Sequence, residues 1–573
     1  MRFRLTVALT LTVVILPLFS QDSKKLAGQE NLTPTSTTLD ADLAAADKSY
    51  KESKFSDAAR QYQAILAKNA SVIPAQAGLI RSTLRDQKLD EALAIGLKLE
   101  AASPDAASVR AAVGEVRFRL GEMSEAEREF RKAISLDPQE IRAYLGLGEL
   151  LDVFGMHRMA YDLLDKAHTI APEDPRVMRL WLHTLPRNER ISLLEKYLSL
   201  PQGEDPDQLR GLEHYLEYLK AIDGTATHPC KLVRPVASTE TPLEMLLVDA
   251  GHLKGWGLKV KLNDRTGKFL VDTGASGLLI GRSLAEKSGV VRISGNEIGG
   301  IGDRGTVSGY YGYVNLLQIG ELEFHDCQVR VIESKNAADE DGLIGADVFR
   351  SYLVSLNFRE SKMKLEPLPK RPDEQIAPTA SLDTQGNNEP TAEKDKIDNA
   401  DPNLEKSAEK PSGPPVRSLP KDRYIAPEMK TWTPVFRFGH ELLVSTQVND
   451  TPRMLFLLDT GAFANTFSKR LAEHLGKISR DDRMTVRGLN GSVNQVYRAE
   501  NATLEFGGLR QKNQNTVTLD LSTISRHTGT EVSGILGFNM LNMLDLQIDY
   551  RDNLVNFNYD PTKLGLPSDK KKK

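Results

Sequence analysis

FLVDTGASGLLIGRSLAEKSG, residues 269–289, and FLLDTGAFANTFSKRLAEHLG, residues 456–476, share ten of 21 positions. In each, an apolar run (Phe269-Leu270-Val271; Phe456-Leu457-Leu458) ends on the same word, Asp272-Thr273-Gly274-Ala275 and Asp459-Thr460-Gly461-Ala462, 187 residues apart. The offset of 187 holds through Leu284-Ala285-Glu286 and Leu471-Ala472-Glu473, and on to Leu317 and Gly320 against Leu504 and Gly507. It slips by five only where Gly342-Leu343-Ile344-Gly345 answers Gly534-Ile535-Leu536-Gly537, each ahead of a helix-like apolar pair, Val348-Phe349 and Met540-Leu541. One unit of more than 100 residues is written twice.

Each unit predicts an apolar strand ending at an Asp that projects into a cleft. Thr and Gly after it allow a tight turn whose backbone N–H groups face the carboxylate. The later apolar-apolar-Gly segments (Leu343-Ile344-Gly345; Ile535-Leu536-Gly537) are expected beneath that turn, where glycine permits close backbone approach. Short apolar runs between Gly, Asp and Asn turns make both regions strand-rich: Leu258 to Leu262, Val329 to Ile332 and Leu353 to Phe358, then Leu442 to Val448, Val517 to Leu521 and Leu544 to Tyr550. Two carboxylates brought face to face share one proton and activate a water between them. Such a pair needs neither metal nor cofactor, and the sequence holds no His-Glu-x-x-His and no recognisable Ser or Cys nucleophile turn.

Asp-Thr-Gly-Ala after an apolar strand, with apolar-apolar-Gly some 70 to 80 residues on, resembles the aspartic peptidases, most of all their retroviral-type (retropepsin-like) group. The resemblance covers residues 240–368 and 428–560. It implies that Asp272 and Asp459 meet as a catalytic dyad for peptide-bond hydrolysis, and that Thr273 and Thr460 hydrogen-bond across the interface. It also implies a closing hairpin from each unit, at residues 296–312 and 484–498. Members with an acidic optimum often carry Ser or Thr after the Gly, whose hydroxyl donates to a catalytic carboxylate. Here Ala275 and Ala462 stand instead, so the dyad is expected to titrate higher and to work from mildly acidic to near-neutral pH. The units can pair within one chain or between molecules; tethering favours the first. A third reading is a catalytically inert scaffold that keeps the fold.

Upstream, Ala58, Ala92, Ala126 and Ala160 recur every 34 residues. In the third and fourth units Gly114 pairs with Gly148, Gly121 with Gly155, Phe130 with Leu164, Ala133 with Ala167 and Pro138 with Pro172. Small residues let the two helices of a hairpin approach, a bulky one fills the gap, and proline ends the second helix. This resembles the tetratricopeptide repeat (TPR) family, a solenoid whose concave face suits a partner or substrate protein. The same surface also suits contact with the chain's own other domains. Residues 176–222 look helical and could cap the stack.

The chain is thus read as multidomain: a signal peptide at 1–20, an all-α TPR solenoid at 40–222, an all-β unit at 235–368, a disordered linker at 369–425 and a second all-β unit at 426–563. The length of 573 leaves room for roughly four domains at about 150 residues each. Arg2 and Arg4 before an apolar stretch from Leu5 to Phe19 read as an export signal, so a periplasmic or secreted protein, with an uncleaved N-terminal anchor as the alternative. No other segment is long and apolar enough to cross a bilayer. The linker, rich in Pro, Glu, Lys, Asp and Ser, has a typical reach of roughly 40 Å.

A net charge of -4 gives no reason to expect nucleic acid as a partner. Cys230 and Cys327 could form one disulfide or remain two buried thiols that never meet. Asp264, Asp303, Asp347 and Asp549 are expected in turns or on the surface; His325, His474 and His527 are isolated and not spaced as metal ligands.

Overall fold

The computed structural model describes residues 36–201, 206–222, 230–234, 238–249, 252–298, 307–333, 341–372, 374, 419–476, 478–488, 491–493 and 495–560. The signal segment, most of the linker (375–418) and the tips of both expected hairpins (299–306 and 489–490) lie outside these residues, as does Asp303.

Four antiparallel helical hairpins open the described chain: α1 (Ser36–Lys51) with α2 (Phe55–Lys68), α3 (Ile73–Arg85) with α4 (Leu89–Ala102), α5 (Ala107–Arg119) with α6 (Met123–Leu136), and α7 (Ile141–Val153) with α8 (His157–Ile170). The alanines at the 34-residue spacing all lie buried in the second helix of their hairpin. Phe130 on α6 fills the space over Gly114 on α5 and Gly146 on α7, where a Cβ would strike its ring. Tyr62 does the same over Gly78, 68 residues earlier, which is two repeats. Then come α9 (Pro175–Trp181), α10 (Arg187–Leu198) and α11 (Pro206–Ile222), which bury Met178, Leu194, Tyr197, Tyr218 and Leu219 together and cap the stack.

The turn after each first helix needs one left-handed residue. Gly121 (φ +78°) and Gly155 (φ +84°) supply it in the third and fourth repeats. At the same spacing the first two repeats carry Ser53 (φ 58°) and Gln87 (φ 62°). The weaker sequence match of those repeats thus hides the same backbone, held there against side-chain strain of order 1 kcal/mol per residue.

Beyond the helices two β-rich units follow. In the first, the strand Arg265–Asp272 pairs with Gly342–Gly345, parallel, with Asp272 opposite Gly345. In the second, Met454–Asp459 pairs with Gly534–Gly537 in the same way, with Asp459 opposite Gly537. The apolar-apolar-Gly segments therefore run as strands beside the aspartate strands. The helix-like pairs after them are real, a 3-10 turn at Ala346–Phe349 and a short helix at Phe538–Leu541.

The units join through one sheet. The strands Thr433–Pro434, Leu554–Asn558, Asp545–Asp549, Tyr352–Asn357, Lys362–Pro367 and Thr239–Asp249 lie side by side in that order. Its centre is an antiparallel pair between units, with Leu353 opposite Asp549 and Asn357 opposite Asp545. Each unit contributes an N-terminal strand and a C-terminal hairpin, so the sheet reads the same from either end. Beneath it the cores fuse: Phe358, Trp256, Phe538, Leu546 and Ile548 belong to one buried cluster.

The helical region touches both units. Phe118 and Phe154 pack on Phe438 and Phe436 of the second unit, with ring centroids 5.9 and 5.3 Å apart. Around them, Glu531 N donates to Arg119 O (2.8 Å), Thr530 Oγ1 to Phe118 O (2.7 Å) and Arg423 N to Gly155 O (2.7 Å). On the first unit, Tyr218 of α11 packs on Tyr311 at 4.5 Å and hydrogen-bonds Gln328. A disulfide between Cys230 and Cys327 ties the chain just after α11 to the strand Leu322–Ile332, which resolves the two readings left open for these cysteines. At both ends of the linker the chain is packed: Arg371 pairs with buried Asp552, and Asp422 accepts from Arg158 N (2.8 Å) and Met159 N (3.2 Å).

Gln87→Gly, which removes a side chain from a left-handed turn, is expected to stabilise the helical region by up to about 1 kcal/mol. Urea unfolding followed by circular dichroism measures it; a loss of stability would refute the reading of these turns.

Candidate active site

The two Asp-Thr-Gly-Ala turns face each other. Thr273 N donates to Thr460 Oγ1 (3.0 Å), and Thr460 N donates to Thr273 Oγ1 (3.0 Å). Each hydroxyl then donates to a carbonyl of the opposite unit's aspartate strand: Thr273 Oγ1 to Leu458 O (2.8 Å) and Thr460 Oγ1 to Val271 O (2.9 Å). The four bonds form a closed, buried, two-fold arrangement. The expectation of threonines bonded across the interface holds, and the pairing is within one chain.

This grip brings the carboxyls together. A Cβ on Gly274 would sit 2.7 Å from Cγ of Asp459, and one on Gly461 would collide with the carboxyl of Asp272. Only glycine permits such an approach. Asp272 and Asp459 hydrogen-bond each other. Asp272 accepts from Gly274 N (2.9 Å); Asp459 accepts from Gly461 N (2.8 Å) and Ala462 N (2.9 Å). Burial pushes both acids up, Asp272 well above the usual carboxylate range, with the charge of Asp459 adding to the effect. The hydrogen bond from Asp272 and the backbone donors hold Asp459 down. The pair therefore keeps one proton, carried on Asp272, beside an anionic Asp459.

Gly345 and Gly537 are equally constrained. A Cβ on either would overlap the backbone of Ala275 or Ala464. Gly345 N donates to Gly277 O (2.9 Å), and Gly537 N to Asn465 Oδ1 (2.9 Å). Leu343, Ile344, Ile535 and Leu536 carry these glycines on the neighbouring strands. All the residues singled out in the two turns and the two apolar-apolar-Gly segments are thus gathered at one place.

Two acids depart from expectation. Asp347 is not a surface residue: it is 2% exposed and accepts from Gly277 N (3.0 Å), bracing the first aspartate's turn. Asp549 is 1% exposed, at the junction of the two units, and burial beside Asp552 raises it to about 7. Asp264 is exposed, as expected. His325 pairs with Glu323 (3.2 Å) and His474 with Arg470 O (2.7 Å). Among the described residues no group of His, Cys, Asp and Glu is arranged to hold a metal ion.

Sequence reasoning passed over a second ring of residues. His440 hydrogen-bonds the backbone of Gly274, and enclosure together with Arg330 pushes its imidazole down to about 3, leaving it neutral. Glu441 is raised to about 7 by burial, against a hydrogen bond from Thr528, with Asp459's charge adding to the rise. Arg330 donates to Ser276 O and Oγ. The only available signal was the place of His440-Glu441 at the start of an apolar run in the second unit.

Each unit's hairpin is present below its tip: Val291–Ile298 pairs with Val307–Ile319, and Val486–Gly488 with Gly491–Val493.

Folding carries a cost at this site. The folded dyad keeps a proton that the unfolded carboxyls, near 3.8, release. Its penalty is therefore absent below that value, grows as pH rises toward the raised folded pKa and is complete above it. Asp459→Asn is expected to raise the melting temperature at pH 7 and to leave it unchanged near pH 3. Thr460→Val orphans Thr273 N and Val271 O, at about 1–3 kcal/mol each, so a loss of about 2–6 kcal/mol is expected in urea unfolding.

Comparison with known proteins agrees with this geometry. The aspartyl protease family model matches twice, at residues 258–348 and 444–540. DNA damage-inducible protein 1 of Neurospora crassa is 29% identical over 111 residues, 19% of this chain and 24% of that protein. The chain thus spans about a quarter of that relative's length. Among solved structures, a thermophilic TPR protein of Thermus thermophilus matches with a TM-score of 0.25 and 19% identity, covering 30% of this chain and 95% of that one. Each of the two β units belongs to the aspartyl protease family, and this chain carries the family's unit twice behind a TPR-like helical region.

Proposed function

We propose that the protein is an aspartic endopeptidase whose catalytic pair is Asp272 and Asp459. The observation that carries this reading is the buried, one-proton carboxyl pair clamped by the reciprocal threonine bonds. The anionic Asp459 takes a proton from a water placed between the carboxyls as that water attacks the peptide carbonyl. Asp272 hydrogen-bonds the carbonyl oxygen and stabilises the charge that develops there. The proton taken by Asp459 then passes to the leaving nitrogen as the C–N bond breaks, and the pair returns to its starting state. The backbone donors of Gly461 and Ala462 keep Asp459 ionised during the wait. The substrate is an extended segment of a protein crossing the two-fold between the units, under the two hairpins.

The disulfide between Cys230 and Cys327 supports an exported protein, because such bonds persist in oxidising compartments. Among the described residues no helix is long and apolar enough to cross a membrane. The helical region, by its architecture, supports recognition of a protein partner or substrate.

Asp272→Asn and Asp459→Asn are each expected to lower cleavage of an unfolded protein substrate by roughly 10²–10⁴-fold or more, in a preparation shown to be monomeric. Retained cleavage in both variants would leave the inert-scaffold reading standing. Ala275→Ser adds a hydroxyl donor to the ionised carboxyl, so the acid limb of the pH–rate profile should move to lower pH. The unmodified enzyme should work best from mildly acidic to near-neutral pH.

A further inference from the structure

The row of first helices in the repeats holds an ionic cluster that the peptidase units do not use. Glu115 on α5 offers one oxygen, Oε1, to three guanidinium groups from three other helices: Arg81 Nε on α3 (3.3 Å), Arg142 Nη1 on α7 (3.5 Å) and Arg176 Nη1 on α9 (3.6 Å). Only the first contact is a hydrogen bond; Nη1 of Arg142 and Nη1 of Arg176 are enclosed and meet no acceptor. Glu149 and Asp174 also bear on Arg176, but Asp174 is engaged in capping α9 through Arg176 N (2.9 Å).

A matched network looks different. Arg110, also on α5, is served by two carboxylates, Glu100 at 2.6 Å and Glu129 at 2.8 Å. At Glu115 the ratio is reversed, one carboxylate to three cations, and enclosed cations in excess of their partners are costly. The like charges of Arg176 and Arg81 add to burial in pushing Arg142 down to about 10, and the three cations pull Glu115 down to about 2. The cluster is nevertheless reachable: side-chain exposure rises from 10% at Arg81 to 23% at Arg142 and 29% at Arg176.

We propose that Arg81, Arg142 and Arg176 form a recognition site for an acidic segment of a partner protein, whose Asp or Glu side chain supplies the second carboxylate that the cluster lacks. Charge complementarity selects this occupant. A basic or neutral segment would leave the unmet guanidinium nitrogens as they are, whereas a carboxylate can accept from two of them at once. The site deepens the partner-binding role of the helical region and is independent of whether the dyad cuts.

The test uses the full chain with Asp459→Asn, so that cleavage cannot intervene. A fluorescein-labelled, C-terminally amidated decapeptide rich in Glu is titrated against its Gln counterpart by anisotropy, at 50 and 300 mM NaCl. The Glu peptide is expected to bind at least tenfold more tightly than the Gln peptide, and to weaken with salt. Arg142→Gln and Arg176→Gln should each cost about tenfold. Glu115→Gln removes the cluster's own carboxylate and should tighten binding, a gain that a purely structural network would not produce. Equal affinity for the two peptides would overturn the proposal, as would unchanged affinity in Arg176→Gln. If Arg142→Gln fails to fold by circular dichroism, Arg176→Gln, the most exposed of the three, decides alone.

Discussion

The reciprocal bonds between Thr273 and Thr460 are the constraint on which the site depends. They join no more than two turns, but those turns hold the aspartates, and the facing glycines leave no room for any other spacing. A tether of flexible chain raises the frequency with which two units meet; it cannot set their orientation. Orientation comes from the threonines at the cleft and from the shared sheet at the far side, where Leu353 and Asp549 lie opposite each other. Between these two points the cores are continuous, so the pair of units behaves as one folded body and the carboxyls stay enclosed despite their mutual cost.

The helical region is built into that body. Its turns at Phe118 and Phe154 pack on the strand Phe436–Phe438, only two residues before His440, which itself reaches the turn of the first aspartate. Its last helix packs on the long hairpin of the first unit through Tyr218 and Tyr311. The repeats thus touch the surroundings of the cleft from both sides, while the face carrying Arg81, Arg142 and Arg176 is left to other contacts.

What could be read in the letters was what is repeated. The doubled Asp-Thr-Gly-Ala, the doubled apolar-apolar-Gly and the alanines at 34-residue intervals each mark a place where backbone geometry admits few residue types, and the structure uses them so. Features that arise only when distant segments meet were illegible. Asp347 and Asp264 look alike in sequence, yet one is sealed against Gly277 N and the other is in water. Nothing local to His440, or to the turns of the repeats, says what they will touch. The two cysteines, 97 residues apart, gave no ground for choosing between bond and thiols until the strands around them were placed.

The shared sheet also has a consequence in time. The strand Tyr352–Asn357 leaves the ribosome with one edge open, and its partner across the units, Asp545–Asp549, begins 188 residues later. At the usual pace of synthesis, about 5–20 residues per second, that edge waits roughly 10 to 40 s for its mate. An unpaired strand edge is a template for any other chain nearby. The first unit must therefore pass through a long adhesive adolescence, and the newborn chain is most exposed to aggregation while its second half is still being made.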